Sequence, residues 1–296
     1  MSDIKIVPVT TKKGLRAFIQ FYYDLYKGNK FAVPFLRLDE WNTLSKDKNP
    51  AFEFCDAQYF LAIDYSVPKV VGRVAAIINH RANKRWERQD VRFGWIDFVD
   101  DIEVTRALLQ AVEDYGREKG MKSIVGPLGF TDMDPEGMLT MGFDKLGTMP
   151  TIYNYPYYPE HMERLEGWSK DNDYVEYFLE VPDQIPEKYS KIAQMIEKRY
   201  NLHVRKLTRK DIFKGGYGRK LFELVNETYK DLYGFSELTD RQIEQYIKMY
   251  LPLADLSLIT VIEDGNNDNK MAGMGITIPS LSRDEVGKEQ RVGSLG

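Results

Sequence analysis

Carboxylates and phenols gather at a few places in this sequence. Asp97 stands in the β-forming stretch VRFGWIDFVDD, and strand alternation puts it on the face of Phe93, Trp95 and Val99. A carboxylate buried among such rings would have a raised pKa; an exposed or salt-bridged one would not. The run Tyr153-Asn154-Tyr155-Pro156-Tyr157-Tyr158 offers phenols whose apolar bodies suit either the wall of a cleft or the edge of a core. Asn79, Asp132, Asp134 and Glu136 fall in or beside loops expected near the open end of a sheet. There they could hold a polar substrate or serve as turn and cap residues. His80, His161 and His203 lack metal-ligand spacing and read as surface or loop residues. The sequence has no Gly-x-Ser-x-Gly elbow, Walker turn or dinucleotide-binding glycine fingerprint.

The elements that must position these groups centre on residues 91–127. Between two β-like stretches, Val104, Ala107, Leu108, Ala111, Val112 and Tyr115 recur at helical spacing, and Gly120 marks a stop. Strand, amphipathic helix and strand predict a crossover with parallel strands. Upstream come a strand at 4–9, a helix at 13–27, a weakly helical FLRLDEWNTLS, and the hairpin AQYFLAID…VVGRVAAIIN. HRANKRWERQD reads as a solvated loop. Residues 126–150, rich in Gly and Pro, predict a long ordered loop of the kind that is often functional. A helix near 159–168 and a strand, DYVEYFLEV, close this unit. From 182 the order restarts: helix 187–200, strand LHVRKLT, helices 218–232 and 240–250, and the hairpin LSLITVIED…KMAGMGITIPS. The repeated order is the sign of an internal duplication. The expected organisation is one unit at 1–181, a partial second at 182–283 and a disordered tail at 284–296.

Composition narrows the function classes. The chain has 296 residues, 43% hydrophobic and 29% charged, with a net charge of -4. That balance gives no global attraction to nucleic acid or to an anionic membrane. The single cysteine excludes an internal disulfide, and no apolar run approaches the ~20 residues that span a bilayer. A cytoplasmic protein without a resident metal is the expectation, and oligomeric state is not legible.

The order strand, two helices, three antiparallel strands, crossover helix, strand, helix, strand is similar to that of the GNAT acyltransferases. Val71–Asn79 (VGRVAAIIN), Phe93-Gly94-Trp95, Gly126-Pro127, Gly137-Met138-Leu139, Gly142-Phe143-Asp144, Tyr153-Asn154 and Tyr157-Tyr158 resemble a bacterial family of double-GNAT, N-acetyltransferase-like proteins. The resemblance implies an α/β mixed-sheet fold, duplicated, with the second copy incomplete and the chain shorter than its relatives at the C-terminus. It implies transfer of an acetyl or acyl group from CoA to a small-molecule amine acceptor. In such chemistry a base keeps the amine neutral and an acid protonates the departing thiolate. On the family pattern Asp97 is the carboxylate candidate, and Tyr153, Tyr157 and Tyr158 are the acid candidates. Asn79, Asp132, Asp134, Glu136 and Asn154 are the substrate-binding candidates.

One departure stands out. These enzymes hold the CoA pyrophosphate on a glycine-rich turn at the start of the crossover helix, where free N–H groups and the helix dipole favour anions. Here the turn is Asp100-Asp101-Ile102-Glu103-Val104-Thr105, without glycine and with three carboxylates. It predicts a capped helix in a half that does not bind CoA; a phosphate turn of the second unit would lie beyond Ser282. The alternatives are therefore a non-catalytic scaffold that binds a ligand or protein partner, or a relative of the two-GNAT peptidyl transferases, which would show a basic groove.

Overall fold

The computed structural model describes residues 3–148, 151–180, 182–252, 254–279 and 293–295. Among the described residues the chain forms two compact units, one built on the residues up to Asp173 with Leu232–Ser236, the other on Tyr174–Asp231, residues 237–279 and 293–295.

The first unit is a five-stranded sheet in the order β1 (Ile4–Pro8), β2 (Cys55–Asp64), β3 (Lys69–Asn79), β4 (Asp90–Phe98) and β5 (Ser123–Val125). The first four are antiparallel neighbours and β5 is parallel to β4. Two helices follow β1: α1 (Lys12–Leu25), capped by the Thr11 side chain, and α2 (Arg37–Leu44). Helix α3 (His80–Arg85) occupies the stretch expected as loop, because Asn79 caps it by accepting from Ala82 N. Crossover helix α4 (Ile102–Glu118) buries Val104, Leu108 and Val112 of the expected stripe, leaves Ala107, Ala111 and Tyr115 half-buried, and buries Leu109 as well. Residues 126–156 contain no helix or strand among the described positions, and α5 (Tyr157–Arg164) follows.

Strand β4 is buried along its whole length because it feeds a core on each face. On one side Val91, Phe93, Ile96 and Phe98 pack with α4; on the other Trp95 packs with α1 residues and Phe130. Phe93 and Trp95 thus lie on opposite faces, which strict alternation forbids. The cause is a slip in register between Arg73 and Ala75, where Arg73 pairs with Asp97 but Ala75 with Gly94. Trp95 there takes φ 44°. One extra residue reverses every later side chain. Asp97 consequently shares a face with Trp95, not with Phe93 and Val99 as alternation predicts.

Beyond Val125 the chain stays close to β4. Leu128 N donates to Phe93 O at 2.8 Å, and a Cβ on Gly94 would meet Leu128 O at 2.4 Å. The gap between β4 and the chain leaving β5 is therefore closed by backbone.

In the second unit α6 (Glu187–Tyr200) precedes β6 (Leu202–Lys206), then α7 (Arg209–Phe213), α8 (Tyr217–Tyr229), α9 (Asp240–Met249), β7 (Ile259–Asp264) and β8 (Lys270–Pro279). The antiparallel order β6-β7-β8 repeats β1-β2-β3, and β9 (Gly293–Leu295) joins β8. Three residues of the expected disordered tail are therefore a strand; positions 284–292 and 296 lie outside the described residues. DYVEYFLEV is not a strand: its described residues are irregular and exposed, with Tyr177, Phe178 and Leu179 in solvent. No described helix is long and apolar enough to cross a membrane.

Gly94→Ala should destabilise the protein by about 2–3 kcal/mol, since the added methyl must displace a backbone carbonyl. Urea unfolding of variant and parent measures it, and an unchanged midpoint would contradict the backbone closure.

Candidate functional site

The register slip turns Asp97 into a buried cluster under α1 and α2. Arg73, 1% exposed, donates from Nε to Asp97 Oδ2 at 2.8 Å and from Nη1 to Phe18 O at 3.1 Å. The rings of Phe18 and Tyr22 flank its guanidinium at 5.0 and 5.3 Å. Asp97 Oδ1 faces two phenols, Tyr26 and Tyr158, each at 3.1 Å, and the two hydroxyls are 3.0 Å apart. Burial, reinforced by Asp97, pushes both phenols far above the usual tyrosine range, so both remain proton donors. Phe98 N also donates to the Tyr158 oxygen, which orders the chain of donors toward Asp97.

A second buried carboxylate shares the guanidinium. Glu40 Oε1 accepts from Trp95 Nε1 at 3.0 Å, while Oε2 lies 3.7 Å from Arg73 Nη1 and accepts no hydrogen bond. Burial raises the Glu40 pKa, opposed by Arg73.

This cluster forms the polar floor of a cleft. Arg73, Asp97, Asn154 and Tyr158 line it together with the apolar surfaces of Tyr22, Phe35, Trp95, Ile96, Pro127, Met138, Ile152 and Tyr153. A few converging polar groups in an apolar wall are the usual composition of a ligand site.

The structure therefore brings Asp97, Tyr153, Asn154 and Tyr158 together and places the other expected residues elsewhere. Tyr157 donates to Phe98 O at 2.7 Å and Tyr153 to Phe143 O at 3.2 Å, so those hydroxyls hold backbone. Asn154 clamps Leu139 through both of its main-chain groups. Asn79 is buried and does not line the cleft: its amide donates to Phe130 O and Ser236 Oγ while its oxygen caps α3. Glu136 is a partly exposed neighbour of the cleft residues Pro135 and Gly137. Asp134 folds its carboxyl under Gly129 and accepts from Thr131 N at 3.0 Å. Desolvation lifts Asp134 to about 7 and Asp132 to about 6. His161 is not a surface residue. It is buried, bridges Thr105 Oγ1 (2.8 Å) to Asp100 Oδ1 (3.1 Å) and stacks on Phe98. Sequence reasoning missed Arg73, Tyr26 and Glu40. Only Arg73 left a signal, a lone charge within the apolar run VVGRVAAII.

The residues at the start of α4 do not fit a pyrophosphate. Asp101 accepts from Glu103 N at 2.9 Å, occupying the helix terminus with the chain's own carboxylate, and Asp100 pairs with His161. Among the described residues no group of three or more His, Cys, Asp or Glu could hold a metal ion.

No family model matches the chain. It is 26% identical over 295 residues to a bacterial ceramide synthase from Caulobacter vibrioides, spanning 95% of this chain and 71% of that protein. It is 30% identical over 172 residues to protein YghO of Escherichia coli, 58% of this chain but only 43% of that one. A tandem GNAT protein from the clavulanic acid biosynthesis pathway overlaps 92% of this chain and 73% of its own, at 12% identity and a TM-score of 0.47. The architecture itself decides the fold: four antiparallel strands, then a crossover helix into a parallel fifth. The first unit has the GNAT fold. Within that GNAT unit the cleft floor is set by β3 and β4, and its roof by α1 and the loop 126–156.

Asp134 provides a pH test of this roof. Its folded pKa lies above that of an unfolded aspartate, so its contribution is complete below the unfolded value and is lost as pH rises through about 7. Asp134→Asn can still accept from Thr131 N but cannot ionise. Between about pH 5 and pH 8 the parent should lose more than about 1 kcal/mol relative to the variant. Parallel denaturation curves at each pH measure the difference, and a pH-independent difference would refute it.

Proposed function

We propose that this protein is an N-acyltransferase that moves a long acyl chain from acyl-CoA to the primary amine of a long-chain amino alcohol, whose head group sits over Asp97. The observation that carries the reading is the cleft's amphiphilic build: a carboxylate with two phenols at its floor, and Phe35, Ile96, Pro127, Met138 and Ile152 along its walls. A ceramide is the N-acyl derivative of such an amino alcohol, and the similarity to a ceramide synthase extends over 95% of this chain. It supports this acceptor over a small polar amine.

In the reaction the neutral amine nitrogen forms a bond to the thioester carbonyl carbon, the C–S bond breaks, the nitrogen loses one proton and the thiolate takes one up; an amine that arrives as the ammonium ion first gives up one more proton, with Asp97 as the acceptor beside it. Asp97 Oδ1 is the atom placed to hold the amine and receive its hydrogen bond. Tyr158, kept protonated, is the neighbouring donor. The start of α4 is capped by Asp101, so on this reading the acyl donor binds away from it. Solution in the cytoplasm is consistent with acyl-CoA as donor.

Palmitoyl-CoA and sphinganine, followed by mass spectrometry of the N-acyl product, test the proposal. Product should form, and Asp97→Asn should lower kcat/KM by about 10²–10⁴-fold. Full activity in Asp97→Asn, or transfer confined to acetyl-CoA and short polar amines, would sink it. The acidic cap of α4 and the closed strand gap favour one second reading, a scaffold that binds the amine without turning it over. Binding of sphinganine with no product under any acyl donor would be its signature.

A further inference from the structure

Two carboxylates and one guanidinium make the buried cluster one positive charge short. Arg73 reaches both, at 2.8 Å to Asp97 and 3.7 Å to Glu40. The phenols of Tyr26 and Tyr158 donate hydrogen bonds but bring no charge. Removing a net charge from water is costly, so the empty cleft must hold a proton on one carboxyl. Glu40 is the place for it. Its Oε2 is buried and accepts nothing, whereas every oxygen of Asp97 already has a donor.

The cleft opens on Asp97 and Arg73, not on Glu40. A cation arriving there would meet Asp97 Oδ1. It could displace the Tyr26 hydroxyl without stranding it, because the Tyr158 oxygen is 3.0 Å away as an alternative acceptor. Tyr22, Trp95 and Tyr153 present ring surface to the same space, which suits an ammonium group. Once that positive charge is present, the cluster is neutral with both carboxylates ionised.

From this geometry we infer that the cleft binds its amine as the ammonium ion, paired with Asp97, and that binding expels one proton from Glu40. The inference rests on the reading of this cleft as the amine site, and it adds a proton-coupled binding step in which Glu40 acts through Arg73 as a positioning residue. The sign follows from charge: a nearby cation favours the ionised carboxylate, so the pKa of Glu40 falls on binding. Burial holding that pKa above the ordinary glutamate value in the empty cleft is consistent with this. The other groups around Glu40 are Tyr22 and Tyr23 on α1, Tyr59 on β2, Asp97 on β4 and Asp134 in the loop. The tyrosines have no proton to lose near neutrality, which leaves Asp134 as the rival source.

Octylamine is a suitable probe because it remains an ammonium ion in water below about pH 9. Calorimetric titration in buffers of different ionisation enthalpy, repeated over a pH series, counts the protons released per amine bound. The parent protein and Asp134→Asn should both release a fraction that approaches one proton as the pH crosses the Glu40 titration. Glu40→Gln should bind octylamine and release none. Equal release in Glu40→Gln and parent would mean that the amine sheds its own proton, and the inference fails. Loss of release in Asp134→Asn, absence of release in the parent, or absence of octylamine binding would each overturn it too. Should Glu40→Gln not fold, ¹³C-carboxyl spectra of the parent labelled at glutamate decide. One glutamate resonance must move from the protonated to the ionised position on saturation with octylamine, and none moving refutes the inference. These readouts are independent of acyl transfer, so a protein that binds and releases as described but forms no amide would sink only the proposed reaction.

Discussion

The first unit depends on where a single guanidinium ends up. Arg73 sits in the middle of β3, in a stretch otherwise buried and apolar, and its charge is wholly removed from water. A buried cation is tolerable only with good geometry and with every donor met, and breaking such a set by removing one partner typically costs about 3–5 kcal/mol. Here the partners come from three elements: Phe18 and Tyr22 on α1, Glu40 on α2 and Asp97 on β4. Meeting Arg73 therefore fixes both helices against the sheet. The same act builds the cleft floor, so the stability of the unit and the shape of the cleft draw on one set of contacts.

That arrangement needs β4 to present Trp95 and Asp97 to one face after presenting Phe93 to the other. A regular strand cannot do this. The slip at Gly94 and Trp95 can, and the glycine earns its place by leaving room for Leu128 O. The backbone closure beside β4 and the orientation of Asp97 are thus consequences of one local irregularity, as is common where a bulge re-aims a functional side chain.

Much of the fold was legible because it follows from periodicity. The stripe of α4, the two hairpins and the restart of the order after residue 182 all reflect spacing within short windows. The site was only half legible, since its contacts are long-range. Asp97 and Tyr158 carried a family resemblance, but Tyr26 lies 71 positions from Asp97 and nothing in its surroundings marks it. Glu40 looks like any acid of a short polar helix. His161 was misjudged because burial by Phe98 and Thr105 is invisible from its neighbours in sequence. DYVEYFLEV shows the opposite failure: its residues favour a strand, but β-structure exists only beside another strand, and no described strand runs alongside it.

The distribution of charge argues for what the first unit recognises. Its anion-binding element, the N-terminus of α4, is occupied by Asp101, and Asp100 adds a further negative charge beside it. Its buried cation, Arg73, is divided between two carboxylates and flanked by rings. What remains under-partnered is negative: Glu40 Oε2 in the cluster and Asp132 Oδ1 in the loop. On the proposed reading, two buried carboxylate oxygens without donors and a helix start capped by its own acid suit a cation better than a polyphosphate. In a two-substrate acyl transfer that is the character of the acceptor. The acidic helix start then agrees with the proposal that this unit takes the amine.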